Sequence, residues 1–391
     1  MRTAEVTPAL TAVLLLALSS ATAAAAPDED GEPMTATTRP CLAIVGTYTD
    51  GGSKGIYIFE MDTAGALSLR STVGGIVNPS FLAAGPWGHC VYAVQETGDT
   101  GAVFAYELDR RTASLRLINQ QPSHGTSPCH LAVDRTGRVV VVANYGSGSV
   151  CALPIGDDGA LGPATAVIRH EGSSVNPQRQ EGPHAHSVTI DPDNRFVIAA
   201  DLGLDKLMVY ELDADAGTLV ANDVPYAQVA PGAGPRHFAF HPSGRLGYVV
   251  DELNNTVTGF TYDQSRGVLS EIETVPTLPR GWDGTSYCAD IHVSPSGEFL
   301  YASNRGHDSI VVYRIDQDTG RLSYVEHELT GGKTPRNFAI DPSGRFLLAA
   351  NQQTDTIVTF RIEPATGELE PTGHVASVPA PVCVLFAPDG R

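Results

Sequence analysis

Basic residues are scarce in this chain of 391 residues. It contains 25 Lys and Arg against 44 Asp and Glu, which gives a formal net charge of −19 at pH 7. A protein this acidic repels nucleic acid and anionic membrane surfaces, so neither is an expected partner. A negatively charged ligand would need a local cluster of arginines or lysines against this background.

Paired cysteine motifs are absent as well. The six cysteines include no Cys-x-x-Cys, no haem-attachment motif and no zinc-finger spacing. They lie in strand-like runs, where buried free thiols are at least as good an interpretation as disulfides, and the sequence cannot choose among their pairings.

The N-terminal apolar run is too short to span a bilayer comfortably, since a span needs about 20 residues. Residues 1–26 instead have the order of a signal peptide: Arg2, an apolar stretch over residues 9–18, and small residues ending near Ala23 or Ala26. We expect cleavage and export to the periplasm, cell envelope or medium, with no membrane association afterwards. Residues 27–40 are rich in acidic residues and are predicted to form a linker.

Glycine and proline, with 40 and 27 residues, are too frequent for a helical protein. Residues 234–252 have the pattern of a hairpin, with two apolar runs around the turn Pro242-Ser243-Gly244. Similar segments recur, with turn residues at 88, 137, 194, 244, 297, 344 and 390, which are 46 to 57 residues apart. A period near fifty with short strands indicates the blades of a β-propeller.

The two termini are predicted to complete one blade together. The last copy ends after its first strand, and residues 41–47, 55–62 and 66–73 match the missing second, third and fourth strands. We therefore predict an all-β, seven-bladed β-propeller that forms one domain over residues 41–391. Such closure removes the open sheet edges. We expect a monomer.

The residues at the two ends of the hairpin differ from copy to copy. Because antiparallel strands bring those ends to one edge, Arg236 and Glu252 should be close neighbours in space. His186, Arg305 and Arg336 occupy the same two positions in other copies and should lie at the same rim. Each alone is better explained as half of a surface salt bridge. Together they indicate a ligand site at one mouth of the central channel.

His184 is a rival to His186, and we expect only one of them to face the channel. We take His184, His237 and Arg336 as candidate substrate-binding residues. Scattered histidines such as His292 are assigned no role.

Two inter-blade loops, at residues 169–182 and 276–287, are longer than the others and belong to the same rim. They flank the blade that carries Arg236 and are expected to wall a pocket, with Trp282 and Tyr287 supplying apolar surface.

Five segments carry a resemblance to a known family. They are Pro183-His184-Ala185-His186-Ser187-Val188, Ala200-Asp201-Leu202-Gly203-Leu204-Asp205-Lys206, Gly234-Pro235-Arg236-His237, Asp251-Glu252-Leu253 and Ser303-Asn304-Arg305-Gly306-His307-Asp308. Here the chain resembles the lactonase family of seven-bladed propellers, which includes cycloisomerase-type 6-phosphogluconolactonases and the fungal carboxy-cis,cis-muconate cyclase. The resemblance covers residues 42–391. It implies that His186, Arg236, Glu252 and Arg305 are catalytic, that the substrate is a ring ester of a sugar acid or a muconate, and that no metal or other cofactor is required.

Lactone hydrolysis needs an activated water, a site for the oxyanion and a proton for the leaving alkoxide. We expect Glu252 to act as general base and His186 to donate the proton. Arg236 and Arg305 would hold the oxyanion and any acidic group of the substrate. The arginines would lower the pKa of Glu252 and burial would raise it, and the sequence leaves that balance open. Export would favour an unphosphorylated aldonolactone, because phosphorylated sugar acids are made in the cytosol.

Alternatives remain at this point. One is a metal-dependent propeller lactonase that binds Ca²⁺ through Glu96, Asp201, Asp251 or Asp290; the clustered arginines argue against a cation at this mouth. Another is a muconate-type cyclase or cycloisomerase. The third is a non-enzymatic secreted propeller that binds a ligand, because residues 143–150 resemble the repeats of surface proteins with this fold.

Overall fold

Antiparallel sheets make up the regular structure of this protein. The computed structural model describes Met1 and residues 41–388, in which 28 strands form seven four-stranded sheets. Among these residues no helix is long and apolar enough to cross a membrane. Apart from Met1, the predicted signal peptide (residues 1–26) and linker (residues 27–40) lie outside the described residues.

Blades 1 to 3 take their four strands in chain order, from the channel outwards. Their strands are β4 (Leu82–Ala84), β5 (Cys90–Gln95), β6 (Ala102–Asp109) and β7 (Ser114–Pro122); β8 (Pro128–Val133), β9 (Val139–Asn144), β10 (Ser149–Pro154) and β11 (Ala166–Arg169); and β12 (Ala185–Ile190), β13 (Phe196–Asp201), β14 (Lys206–Asp213) and β15 (Thr218–Gln228).

Blades 4 to 6 repeat this order. Their strands are β16 (Pro235–Phe240), β17 (Leu246–Asp251), β18 (Thr256–Asp263) and β19 (Val268–Pro276); β20 (Tyr287–Val293), β21 (Phe299–Arg305), β22 (Ser309–Ile315) and β23 (Leu322–Leu329); and β24 (Pro335–Ile340), β25 (Phe346–Asn351), β26 (Thr356–Ile362) and β27 (Leu369–Ser377).

Blade 7 joins the two ends of the chain, as predicted. Its innermost strand β28 (Pro381–Phe386) pairs with β1 (Cys41–Thr47), which is followed by β2 (Ile56–Met61) and β3 (Leu67–Val73). In this register Val45 lies opposite Val384. The predicted all-β, seven-bladed propeller is therefore confirmed, together with its closure by both termini.

The hydrophobic core is divided among the seven gaps between neighbouring blades. Seven separate clusters of buried residues each draw on two adjacent blades. The second strand of a blade is consequently covered on both faces, and β25 is buried along its whole length. No residue of the outermost strand β3 is fully buried. This explains why inner strands are continuous apolar runs and outer strands are not.

The hairpin turn that recurs in the repeats contains a residue with a positive φ angle. Gly244 has φ +69°, and the same position in blade 3 is Asn194 with φ 59°. Glycine and asparagine are the residues that adopt this conformation most readily. The turns lie at the rim opposite the predicted site, so the conserved geometry of the hairpin is separate from its variable ends.

Candidate active site

A β-bulge near the start of the first strand places the key side chains. In blade 4, Pro235 lies opposite Asp251 and His237 lies opposite Val250, so Arg236 is the extra residue. Bulges at the same place leave Cys129, His186 and Arg336 as extra residues in blades 2, 3 and 6. Bulges re-aim side chains, which is how one position of each blade comes to face the channel mouth.

Glu252 is the centre of an arginine cluster at this mouth. Its Oε2 accepts hydrogen bonds from Arg236 Nε at 2.9 Å and from Arg305 Nη2 at 2.8 Å, and its Oε1 accepts one from Arg179 Nη2 at 2.6 Å. The predicted proximity of Arg236 and Glu252 is confirmed. Burial alone would raise the pKa of Glu252, but the three guanidinium groups outweigh it and lower the pKa to about 2.

Arg305 reaches Glu252 from the end of β21, where it lies opposite Tyr287. Its Nη2 also donates to the carbonyl of Cys288 at 2.7 Å. The Nε of Arg305 is buried and has no hydrogen-bond partner in the described part of the chain. An unpaired buried donor at the wall of a cavity is available to a ligand.

Arg179 is the member of the cluster that the sequence did not single out. It lies in the long loop before blade 3, which the sequence predicted to wall the pocket. Gln180 anchors this loop by donating to the carbonyl of Leu202 at 2.9 Å and to Asp205 Oδ1 at 2.7 Å. The only sequence signal for Arg179 was the extra length of this loop.

Arg336 lines the same cavity and has no hydrogen-bonded or ion-paired anion among the described residues. Its guanidinium lies 5.3 Å from the centre of the Tyr48 ring, and Tyr48 in turn donates to Glu96 at 3.0 Å. Within residues 41–388, Arg336 makes no hydrogen bond and no ion pair. Four arginines against Glu252 and Glu96 make this mouth locally cationic in an otherwise acidic protein.

These side chains enclose a cavity of about 290 Å³, which is near the lower limit for small-molecule sites and fits a ligand the size of one sugar ring. It is lined by Glu96, Cys129, Tyr145, Arg179, His186, Glu252, Tyr287, Arg305 and Arg336. Tyr287 therefore lies where the sequence placed it. Trp282 does not line the cavity and packs against His307, with ring centres 5.5 Å apart.

His186 is the imidazole of the cavity. Burial lowers its pKa well below the ordinary value, and the charges of Arg236 and Arg336 lower it further. The ring is therefore neutral at pH 7. Its Nδ1 lies 3.8 Å from the Cys129 sulfur, and its Nε2 has no protein partner in the described residues.

His184 and His237 lie apart from this lining. The ring of His184 stacks on Tyr145 with centres 4.5 Å apart, and His184 Nδ1 lies 3.1 Å from the Tyr145 carbonyl oxygen, so His184 supports the wall from behind. His237 lines only a narrow extension beneath the cavity, next to Arg236. Of the seven predicted site residues, four line the main cavity, two line its extension alone, and His184 lines neither.

The acidic residues that the sequence offered as Ca²⁺ ligands do not converge. Asp201 pairs with His170 at 2.5 Å, and Asp251 accepts hydrogen bonds from two threonines. Asp290 pairs with His237 at 2.7 Å. In the described residues no group of three or more His, Cys, Asp or Glu side chains is arranged to hold a metal ion.

A serine nucleophile is not supported either. The segment Gly51-Gly52-Ser53-Lys54-Gly55 has the Gly-x-Ser-x-Gly spacing of hydrolases, but it is a loop between β1 and β2 and not a strand-to-helix turn. The Ser53 hydroxyl lies 2.6 Å from that of Thr47 and has no histidine partner among the described residues.

Comparison with known proteins finds relatives along the whole propeller. A family model described as "Lactonase, 7-bladed beta-propeller" matches residues 42–386. A 6-phosphogluconolactonase of Bacillus subtilis is 40% identical over 346 residues, which cover 88% of this chain and 98% of that protein. The solved structure of the periplasmic gluconolactonase of Pseudomonas aeruginosa has a TM-score of 0.84 at 34% identity, covering 89% of this chain and 99% of its own. A structure from Bacteroides fragilis, described as a candidate 6-phosphogluconolactonase, has a TM-score of 0.86 at 37% identity and covers 91% of this chain and all of that one.

Proposed function

We propose that this chain, which belongs to the lactonase family of seven-bladed β-propellers, hydrolyses the ring ester of a sugar acid at the arginine-lined mouth of its channel. The observation that carries the proposal is the cavity in which arginines surround Glu252 and a neutral His186 faces the same space. Guanidinium groups stabilise an oxyanion, and an unprotonated imidazole accepts a proton from water.

The contacts of Glu252 favour a positioning role over the role of general base. Both carboxylate oxygens already accept hydrogen bonds from guanidinium groups, and a pKa of about 2 makes the carboxylate a weak base. A general base works best with a pKa near the working pH. We therefore assign Glu252 to holding Arg236 and Arg305 in place, and His186 to the proton transfers.

Hydrolysis then proceeds in these steps. A water molecule loses a proton to His186 Nε2 while its oxygen bonds to the lactone carbonyl carbon. The carbonyl oxygen becomes an oxyanion that Arg236 and Arg305 stabilise. The bond between that carbon and the ring oxygen breaks, and the imidazolium returns its proton to the leaving alkoxide. The products are the open hydroxy acid and a neutral His186.

The substrate is proposed to carry an anionic substituent. Arg336 is charged, largely enclosed, and without an acceptor in the described residues, so a phosphate or carboxylate on the substrate would supply the missing partner. The 6-phospho form of gluconolactone is therefore expected to have a lower KM than glucono-δ-lactone. The relative from Bacillus subtilis is itself named a 6-phosphogluconolactonase.

Export of the enzyme is a separate proposal, because the compartment decides which lactone the enzyme meets, whereas Arg336 decides which lactone it binds more tightly. Export is supported by the composition of residues 1–26 and by the likeness to a periplasmic protein of Pseudomonas aeruginosa. We propose a monomer that acts without nucleic acid, membrane or cofactor.

The test is lactone hydrolysis by residues 27–391, followed by pH-stat on freshly prepared 6-phosphogluconolactone and on glucono-δ-lactone. We expect turnover above the spontaneous rate on both, with the lower KM for the phosphorylated substrate. Spontaneous rates alone on both would contradict the hydrolase and favour the muconate-type or ligand-binding alternative.

A further inference from the structure

A second layer of polar side chains lies directly beneath Arg236 in the channel. His130, His237 and Asn337 come one residue after the bulged position of their blades, and Asp290 lies within the wider register break of blade 5. We propose that His237 and Asp290 are positioning residues that fix the orientation of the Arg236 guanidinium. This inference rests on the proposed hydrolysis, because Arg236 is one of the two groups assigned to the oxyanion.

Asp290 is saturated with hydrogen-bond donors. Its Oδ1 faces His237 Nδ1 at 2.7 Å and accepts from the backbone N–H of Ile291 at 3.0 Å. Its Oδ2 faces His292 Nε2 at 3.0 Å and accepts from Asn337 Nδ2 at 2.5 Å. Burial would raise the pKa of Asp290, but the facing histidines outweigh it and hold the pKa well below its usual range. Asp290 is thus an ionised carboxylate that only accepts hydrogen bonds.

This carboxylate decides which nitrogen of His237 carries the proton. A carboxylate cannot donate, so the imidazole proton is on Nδ1 and the lone pair is on Nε2. Nε2 lies 3.2 Å from Arg236 Nη1, which is always a donor. Burial and the charge of Arg236 lower the pKa of His237 to about 4, so the ring stays neutral and keeps this tautomer at pH 7.

Arg236 is consequently held along two of its edges. Its Nε donates to Glu252 Oε2, while its Nη1 donates to the carbonyl of Ala289 and to His237 Nε2. Its Nη2 has no acceptor in residues 41–388. In the opposite tautomer, an N–H of His237 would point at an N–H of Arg236, and the guanidinium would have to turn away. The bulge makes the contact possible, because it lets two successive side chains face the same space.

Two substitutions at His237 separate the contact with Arg236 from the contact with Asp290. The amide of Gln reaches the position of Nε2 and accepts from Arg236, whereas the amide of Asn reaches only the position of Nδ1 and keeps the bond to Asp290. We expect His237→Gln to retain kcat within about threefold and His237→Asn to lose about 10²-fold in kcat with little change in KM, as a misplaced catalytic group does. If His237 only supported the fold, His237→Asn would keep the higher kcat of the two variants, because it keeps the buried Asp290 carboxylate paired.

Asp290→Asn tests the tautomer. An Asn amide can donate to Nδ1 and so drive the proton to Nε2, and we expect kcat to fall by about 10²-fold. In the His237→Gln background no tautomer exists, so adding Asp290→Asn should change kcat by less than about threefold. Such non-additivity is expected only for residues that act through each other.

His374→Gln serves as the control, because His374 lies on the outer strand β27 and is bonded to none of Asp290, His237 and Arg236. We expect its kcat to equal that of the wild type. Three results would each overturn the inference. They are a wild-type kcat in His237→Asn, losses of kcat that only follow losses of melting temperature, and full additivity in the double variant of His237→Gln with Asp290→Asn.

A spectroscopic measurement makes the test independent of turnover. In ¹⁵N-histidine-labelled protein at pH 7, we expect the chemical shifts of His237 to show a proton on Nδ1 in the wild type and its loss in Asp290→Asn. A proton on Nε2 in the wild type would overturn the inference whatever the activity. A wild type that shows the expected tautomer and turns over no lactone would contradict the proposed function alone.

Discussion

Arg236 and Glu252 are 16 residues apart in the chain and form a buried ion pair, with Arg236 Nε 2.9 Å from Glu252 Oε2. The two side chains are 2% and 6% exposed. Because an unpaired buried charge is strongly unfavourable, each of these residues depends on the other. The same carboxylate binds Arg305 and Arg179, so one glutamate organises three of the four arginines at this mouth.

Glu252→Gln should lower both activity and stability. Without the carboxylate, Arg236 and Arg305 repel each other and leave the oxyanion site, and we expect kcat to fall by about 10²-fold or more. We expect the free energy of unfolding at pH 7 to fall by about 3–5 kcal/mol, measured by urea denaturation. The folded-state pKa of Glu252 is about 2, below its ordinary 4.5, so its stabilisation is present above pH 4.5 and is lost as the pH falls towards 2. The stability difference should shrink over that range.

Glu107→Gln is the matched control. Glu107 pairs with Arg116 across two outer strands, where the two side chains are 50% and 74% exposed. An exposed pair contributes less than about 1 kcal/mol, and kcat should not change. Equal losses of stability in Glu107→Gln and Glu252→Gln would contradict the assignment of Glu252 as a buried organiser.

His186→Ala should abolish turnover, and added imidazole should restore part of it. The expected reason is that His186 supplies the base, and a small free imidazole fits the space left in the cavity. The measurement is pH-stat without imidazole and with about 1, 10 and 100 mM imidazole. His374→Ala, on the outer strand β27, is the control and should behave as wild type. Full activity of His186→Ala without imidazole would remove His186 from the reaction.

Arg336→Leu should discriminate between substrates. If Arg336 binds the phosphate, its loss removes charge-assisted hydrogen bonds worth about 1.5–3 kcal/mol, and KM for 6-phosphogluconolactone should rise by about 10- to 100-fold. KM for glucono-δ-lactone should change little. The surface variant Arg361→Leu is the control, because Arg361 pairs with Glu370 on the outer strands. Equal increases of KM for both lactones would mean that Arg336 contacts the ring and not the phosphate.

Asp251→Asn should stabilise the protein at high pH. Asp251 is buried, its Oδ1 has no partner in the described residues, and burial raises its pKa from 3.8 to about 7. A raised carboxyl pKa destabilises the folded state as the pH rises from 3.8 to 7, because ionisation becomes easier in the unfolded chain. The equivalent positions of three other blades carry Asn144, Asn304 and Asn351.

We expect a gain of about 1–3 kcal/mol in the free energy of unfolding of Asp251→Asn at pH 8 and almost none at pH 4, from urea denaturation at both. A loss of stability at pH 8, or the same change at both pH values, would show that the carboxylate is not strained in the folded state.

The fold was predictable because its signals are local. The third strand of the closing blade was predicted at residues 55–62 and is observed at Ile56–Met61. Closure by the termini followed from counting strands in the repeat. The position of Tyr287 in the wall followed from loop length. Each of these inferences needed only the order of residues along the chain, the period of its repeat and the rule that antiparallel strands bring their ends together.

The site was predictable in part. The residues at the hairpin ends were predicted to bring Arg236, Glu252, Arg305 and His186 to one mouth of the channel. All four lie there. Alternation could not choose between His184 and His186, because residues two apart share a face of a strand. The bulge between Ala185 and Ser187 is what separates them. Arg179 was missed because the direction of a loop side chain depends on distant anchors.

The sequence by itself determined the number of blades, the closure of the ring and which polar residues converge at one end of it. Only the tertiary structure decided what those residues do. The pKa of Glu252 depends on the balance between burial and three guanidinium groups that come from different blades and a loop. The orientation of Arg236 depends on Asp290, which acts through His237. Such balances arise from distances between residues far apart in sequence, and a pattern along the chain holds no information on those distances.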